Sequence, residues 1–123
     1  MNSRLIRVPE LTDELIGEIG RIGRLRSPAE ACGMLAEAPD DSPLRIIELP
    51  NRSMNPTEEY EVWGKDLGLA IEPYSGYDVA ALWHTHPKGT LGPSQTDLMN
   101  VIEAVPMLLV TLLADGVNIP EWF

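Results

Sequence analysis

The chain has 123 residues, 44% of them hydrophobic and 23% charged, with a formal net charge of −10. That length suits one domain with a real core and is too short for two, and the apolar fraction excludes collagenous, low-complexity and disordered classes. Residues 1–26 carry five Arg against four acids and the remainder four basic against fifteen acidic residues, a surface that repels phosphate backbones, so nucleic acid is not an expected partner.

Thr12, followed by Asp13 and Glu14, opens an amphipathic helix over residues 11–26, with Leu15, Ile16, Ile19 and Ile22 on one face. Gly17, Gly20 and Gly23 form a second stripe that weakens the helix and permits close approach to a sheet. Ser27-Pro28 ends it. Residues 31–36 are a short apolar stretch, 39–43 an acidic turn, and 44–49 a strand. A loop over 50–56 leads to a second expected strand at 59–63 and a short helix at 65–72, stopped by Pro73. Residues 77–83 are apolar almost throughout, as in a strand buried on both faces. A Gly/Pro loop over 87–93 precedes a helix at 94–105, stopped by Pro106. Residues 107–113 read as an interior strand, Asp115-Gly116 as a turn, and the last residues as an edge strand.

Helices and strands alternate without an internal repeat, which gives an α/β or mixed α+β class. The 107–113 run is far too short to span a bilayer, so no membrane is expected. The start, Met1-Asn2-Ser3-Arg4, lacks the apolar core of a signal peptide, and the single Cys32 has no internal disulfide partner. Both point to a cytoplasmic location.

The two histidines, His84 and His86, are separated by one residue at the end of an expected strand. There, residues i and i+2 project from the same face, so both imidazoles enter one space. Converging neutral imidazoles are good Zn²⁺ ligands. Asp97 follows a loop containing Gly89 and Gly92, which can fold the next helix back over the strand end. Ser94 and Asp97 also read as a capping box with Pro93 just outside. The two readings are compatible, because such a cap holds Asp97 in the first turn and leaves Ser94 beside the same point. Glu30, taken alone, reads as a surface acid near a helix end. Cys32 reads as a small buried hydrophobe, without a third histidine to activate it. Trp83 faces away from His84, into the core. Trp63, Trp122 and Phe123 default to core or interface packing, with a substrate groove as the alternative, and Lys88 stands in the metal loop within reach of substrate.

His84-Thr85-His86-Pro87, a five-residue spacer, then Pro93-Ser94-Gln95-Thr96-Asp97 resembles the JAMM signature of MPN⁺ metallopeptidases: His-Ser/Thr-His-Pro, a spacer, Pro-Ser-x-x-Asp. Upstream, Pro28-Ala29-Glu30-Ala31-Cys32-Gly33-Met34-Leu35 resembles the segment in which that family carries a glutamate before a Cys-Gly pair. Pro50-Asn51 and Tyr60-Glu61-Val62 resemble prokaryotic members. The resemblance runs from the first helix to Leu113; residues 117–123 are less similar.

What the resemblance implies is a compact α-β-α JAMM fold (MPN, cytidine-deaminase-like), with a central mixed sheet flanked by helices, as one domain over residues 1–123. It implies Zn²⁺ on His84, His86 and Asp97 with a fourth position open to water, Glu30 as general acid and base, and Ser94 as oxyanion donor. The implied reaction is hydrolysis of a peptide or isopeptide bond in a protein or ubiquitin-like conjugate. The bacterial and phage branch is the most similar, which adds phage tail processing, a tail-assembly partner and a host cytoplasm to the expectations. The alternative is a non-catalytic scaffold or tail-assembly factor of the same fold, although inactive relatives usually lose ligands that this chain keeps. A zinc nucleoside deaminase would need His-x-Glu and Pro-Cys-x-x-Cys; position 86 is His and the chain has one Cys. A DNA-repair-associated branch shares a similar metal string, and the acidic surface argues against it.

Overall fold

The computed structural model describes residues 8–99 and 105–123. In chain order these hold α1 (Asp13–Arg26), β1 (Cys32–Glu37), β2 (Arg45–Leu49), α2 (Gly64–Ile71), β3 (Asp78–His86), α3 (Gln95–Met99), β4 (Met107–Leu112) and β5 (Asn118–Trp122). The strands form one sheet in the order β2-β1-β3-β4-β5. β3 and β4 run parallel and the other neighbours antiparallel, so the sheet is mixed, as expected.

α1 starts where Thr12 Oγ1 accepts the Leu15 N–H at 3.1 Å, with Asp13 and Glu14 in the first turn and Arg24 and Arg26 in the last. Those charges complement the helix dipole at both ends. Its apolar side covers one face of the sheet, where Leu15 and Ile19 join Leu35, Trp83, Leu108 and Val110. The glycine stripe works as expected at two of its three positions. A Cβ on Gly20 would come within 2.5 Å of the Asn118 side chain, and one on Gly23 within 2.8 Å of Thr85 and Leu112, whereas Gly17 meets nothing. Gly17→Ala is therefore expected to stabilise the chain by about 0.5–1 kcal/mol, and Gly23→Ala to destabilise it by about 1–3 kcal/mol through overpacking. Urea denaturation of the two variants checks this; equal shifts would contradict the close approach at Gly23.

The opposite face is covered by α2 and by the loop that precedes it. Leu67, Ala70 and Ile71 pack there with Cys32, Met34, Leu49, Tyr60, Leu82 and Met107. Along β3 the period of two is clear: Ala81 and Trp83 belong to the α1 side and Leu82 to the α2 side. Trp83 is fully buried and its Nε1 donates to the Met34 carbonyl at 3.1 Å. Gly33 on the neighbouring strand makes room for that ring, since a Cβ there would lie 2.5 Å from the indole and 2.2 Å from the Ile47 carbonyl oxygen.

One expected element is absent. Residues 59–63 are extended but join no strand. Tyr60 and Val62 do pack on the sheet's face. The segment pairs with no strand of the sheet, and its backbone is held by the Arg52 N–H on the Glu61 carbonyl (2.9 Å) and by the Asn51 side chain. The helix expected at 94–105 is described from Gln95 to Met99; residues 100–104 lie outside the described residues. Among the described residues, no helix is long and apolar enough to cross a membrane.

Candidate metal centre

His84 and His86 close β3, and both side chains leave the sheet on the face opposite α1, as the two-residue period dictates. Between them, Thr85 ties the strand to the segment that enters β1. Its N–H donates to the Ala31 carbonyl and its Oγ1 accepts the Ala31 N–H, each at 3.0 Å. That double tie carries Glu30 to the end of β3 although 54 positions separate it from His84. From the other side, the turn into α3 delivers Asp97. Here the capping box and the metal-ligand reading coincide: the Asp97 N–H donates to Ser94 Oγ at 3.0 Å while Asp97 Oδ2 accepts the Ser94 N–H at 2.9 Å.

Glu30, His84, His86 and Asp97 are all buried, and one ligating atom from each lies within 4.8 Å of the others. Asp97 Oδ2 is the hub. His86 Nε2 and His84 Nε2 each stand 3.0 Å from it. Glu30 Oε2 stands further back, 3.9 Å from His86 Nε2. The rings are held in place: Tyr60 stacks on His84 with centroids 4.1 Å apart, and the Phe123 ring meets His84 edge-on at 6.0 Å. His86 Nδ1 lies 2.9 Å from the Thr90 carbonyl, which also accepts the Thr111 hydroxyl at 3.2 Å.

The proton inventory shows what the cluster lacks. A carbonyl can only accept, so a neutral His86 places its one N–H on Nδ1, facing Thr90. Its Nε2 lone pair then faces the lone pairs of Asp97 Oδ2. Two acceptors at 3.0 Å require a cation between them, either a proton or a metal ion. His84 Nε2 approaches the same oxygen without an aligned hydrogen bond, and Asp97 Oδ1 and Glu30 Oε1 are buried without a partner. Leaving such groups unsatisfied costs about 1–3 kcal/mol each. Ligand atoms of a tetrahedral zinc with bonds of about 2.0–2.1 Å stand about 3.3 Å apart, close to the two 3.0 Å separations found here. The buried Glu, His, His and Asp group can hold a metal ion.

The electrostatics leave Asp97 ionised and His84 neutral, the forms in which each can ligate a cation. Burial lowers the His84 pKa and keeps that ring neutral. Burial also opposes charge on His86, but the Asp97 carboxylate and the Thr90 carbonyl outweigh it and raise its pKa. For Asp97, burial is overcome by the two facing imidazoles, and its carboxyl is held far below the usual range. Glu30 is pushed up to about 7, chiefly by burial, with His86 pulling the other way.

Two cavities meet at Glu30. One, of about 130 Å³, is lined by Glu30, Thr57, Glu58, His86, Pro87, Lys88, Thr90 and Ser94. The other, of about 400 Å³, runs from Glu30 between Arg26 and Ala29 on one side and Glu48 to Asn51 on the other. Lys88 lines the first cavity and pairs with Glu58 across it. Cys32 stands apart: its thiol is pushed up to about 12 by burial and approaches the Leu49 and Pro50 carbonyls. Trp122 packs against the α1-side core, and the half-exposed Trp63 carries the Arg52 guanidinium over its ring at 5.1 Å. Asn51, Tyr60, Thr90 and Thr111 support the site without belonging to the metal string; Asn51 and Tyr60 lie in segments that resemblance alone singled out, and no sequence signal marked Thr90 or Thr111.

The profile of one protein family, prokaryotic homologs of the JAB domain, matches residues 12–122. Among solved structures, a protein of Desulfitobacterium hafniense, known in solution, is similar with a TM-score of 0.75 and 22% identity, over 91% of this chain and 80% of that one. A JAB1/MPN domain protein of Archaeoglobus fulgidus, known from a crystal, is similar with a TM-score of 0.58 and 20% identity, over 89% and 82%. A protein of Salinibacter ruber, known in solution, gives 0.57 and 28%, over 90% and 78%. No curated protein matches the chain.

Proposed function

The chain belongs to the family of prokaryotic homologs of the JAB domain, and we propose that it is a zinc-dependent hydrolase of peptide or isopeptide bonds. The observation that carries this reading is the convergence of His84 Nε2 and His86 Nε2 on Asp97 Oδ2, each at 3.0 Å, with Asp97 Oδ1 and Glu30 Oε1 buried beside them without a hydrogen-bond partner. In this reading His84, His86 and Asp97 would hold the ion, three protein ligands being the number typical of a catalytic rather than a structural zinc. Bound there, zinc would supply Lewis-acid chemistry toward a carbonyl and a water molecule.

The remaining roles fall to the chain's own groups. Glu30 lies beside the ligands without joining the hub, and its carboxyl is poised near 7 by burial. Its carboxylate takes a proton from water and returns it to the leaving amine nitrogen, exchanges that work best when the group titrates near the working pH. Ser94 already uses its oxygen to accept the Asp97 N–H. Its hydroxyl hydrogen is left to donate to the oxyanion that develops on the substrate carbonyl, a contribution of about 3–4 kcal/mol where measured elsewhere.

The cavities on either side of Glu30 offer room for chain on both sides of the scissile bond. The substrate class is a protein or a ubiquitin-like conjugate in the cytoplasm, and for a phage-encoded chain a tail protein. The test is cleavage of an internally quenched peptide and of a Lys isopeptide by the zinc-loaded chain. We expect turnover that chelation abolishes and added zinc restores. Stoichiometric zinc with no turnover of either would favour the scaffold or tail-assembly alternative.

A further inference from the structure

We propose that Asn51 is the positioning residue for Glu30, holding the backbone from which that carboxylate reaches the metal centre; this rests on the hydrolase reading above. Glu30 lies between α1 and β1, outside any helix or strand, so no ladder fixes its backbone. Its carboxylate nevertheless stands at a defined place, 3.9 Å from His86 Nε2. Both backbone polar groups of Glu30 are tied to the loop after β2. Its N–H donates to the Pro56 carbonyl at 2.8 Å, and its carbonyl accepts Asn51 Nδ2 at 3.0 Å.

The same amide does more. Asn51 Nδ2 also donates to the Glu59 carbonyl at 3.0 Å, while Oδ1 accepts the Ser53 N–H at 3.0 Å and the Glu61 N–H at 3.1 Å. A side-chain amide has two donors and two acceptor lone pairs, and all four are used. The partners also fix its orientation, since two are carbonyls that only accept and two are amides that only donate. Asn51 is thus a peg joining three stretches of chain: Glu30, the turn at 51–53, and the 59–61 segment that carries Tyr60 against His84. It has no hydrogen bond to His84, His86 or Asp97. Its direct tie to the groups of the site is the one to the Glu30 carbonyl, and misplacing a catalytic group by about 1 Å costs up to about a hundredfold.

The test uses Asn51→Ala and Asn51→Asp in the full chain, alone and combined with Glu30→Gln. In the metal-free protein, amide hydrogen exchange at Glu30, Ser53 and Glu61 should accelerate in Asn51→Ala, while β3 and β4 stay protected. Asn51→Asp keeps the oxygen that serves Ser53 and Glu61 and loses the donors. It should release the Glu30 and Glu59 carbonyls, so that of the three amides only Glu30 exchanges faster, and it keeps the proposal testable if the Ala variant fails to fold. Both variants should retain zinc one-to-one. Asn51→Ala should lower kcat roughly tenfold to a hundredfold with KM nearly unchanged. In the Glu30→Gln background it should lower kcat no further, because the group it positions is already gone. Wild-type exchange at Glu30 in both variants, or an equal fall of kcat in the Glu30→Gln background, would overturn the proposal. An inactive but zinc-loaded wild type would sink the hydrolase reading instead, while the metal-free exchange would still decide whether Asn51 holds Glu30.

Discussion

Replacing Asp97 with Ala is expected to weaken zinc binding by well over a hundredfold, to the point where the purified variant carries none. Loss of an outer-sphere partner costs about 10–100-fold in metal affinity; Asp97 is the atom on which both imidazoles converge, so its loss should exceed that range. The Ala variant also breaks the capping box with Ser94, a change of about 0.5–2 kcal/mol at a helix end. Asp97→Asn separates the two effects. An amide oxygen can still accept the Ser94 N–H, so α3 keeps its start, while the anionic ligand is gone. Thermal unfolding near the wild-type value, together with weak zinc uptake by mass spectrometry, is the expected result for Asn. Undiminished zinc in the Ala variant would remove Asp97 from the ligand set.

Glu30→Gln is expected to leave zinc bound and to lower kcat by about 10²–10⁴-fold, the usual contribution of a positioned acid or base. Gln keeps the shape of the side chain, and the backbone ties to Pro56 and Asn51 do not involve the carboxylate. The variant should therefore fold normally. Because Glu30 Oε2 stands 3.9 Å from His86 Nε2, outside the 3.0 Å hub around Asp97, its loss should hardly change zinc stoichiometry. The two variants thus part company: one loses metal and activity together, the other loses activity with the metal in place. A Glu30→Gln protein that hydrolyses at the wild-type rate would contradict the mechanism while leaving the metal centre standing.

Much of the site could be read from local rules. A period of two placed His84 and His86 on one face, and a Ser-x-x-Asp box placed Asp97 in the first turn of a helix. Both rules act over a few residues, and both geometries are present. Glu30 is different in kind. It comes to the site through the Ala31–Thr85 tie across 54 positions, which no periodicity reports, and only the resemblance of its surroundings to a known segment singled it out. The misread strand at 59–63 shows the limit of local strand signals: Tyr60 and Val62 pack on the sheet's face, yet the backbone has no strand to pair with. Asn51 was legible as a loop residue and, with Pro50, by resemblance to prokaryotic members, neither of which gave it a role. Its importance lies in four hydrogen bonds to backbone groups as far as 21 positions away, and such bonds leave no pattern in composition or spacing.

Zinc K-edge X-ray absorption of the zinc-loaded chain looks at the ligand shell itself. The account predicts one zinc per chain, about four nitrogen and oxygen neighbours at about 2.0–2.1 Å, and the scattering signature of two imidazoles. A shell containing sulfur at about 2.3 Å, or a chain that takes up no stoichiometric zinc, would contradict it.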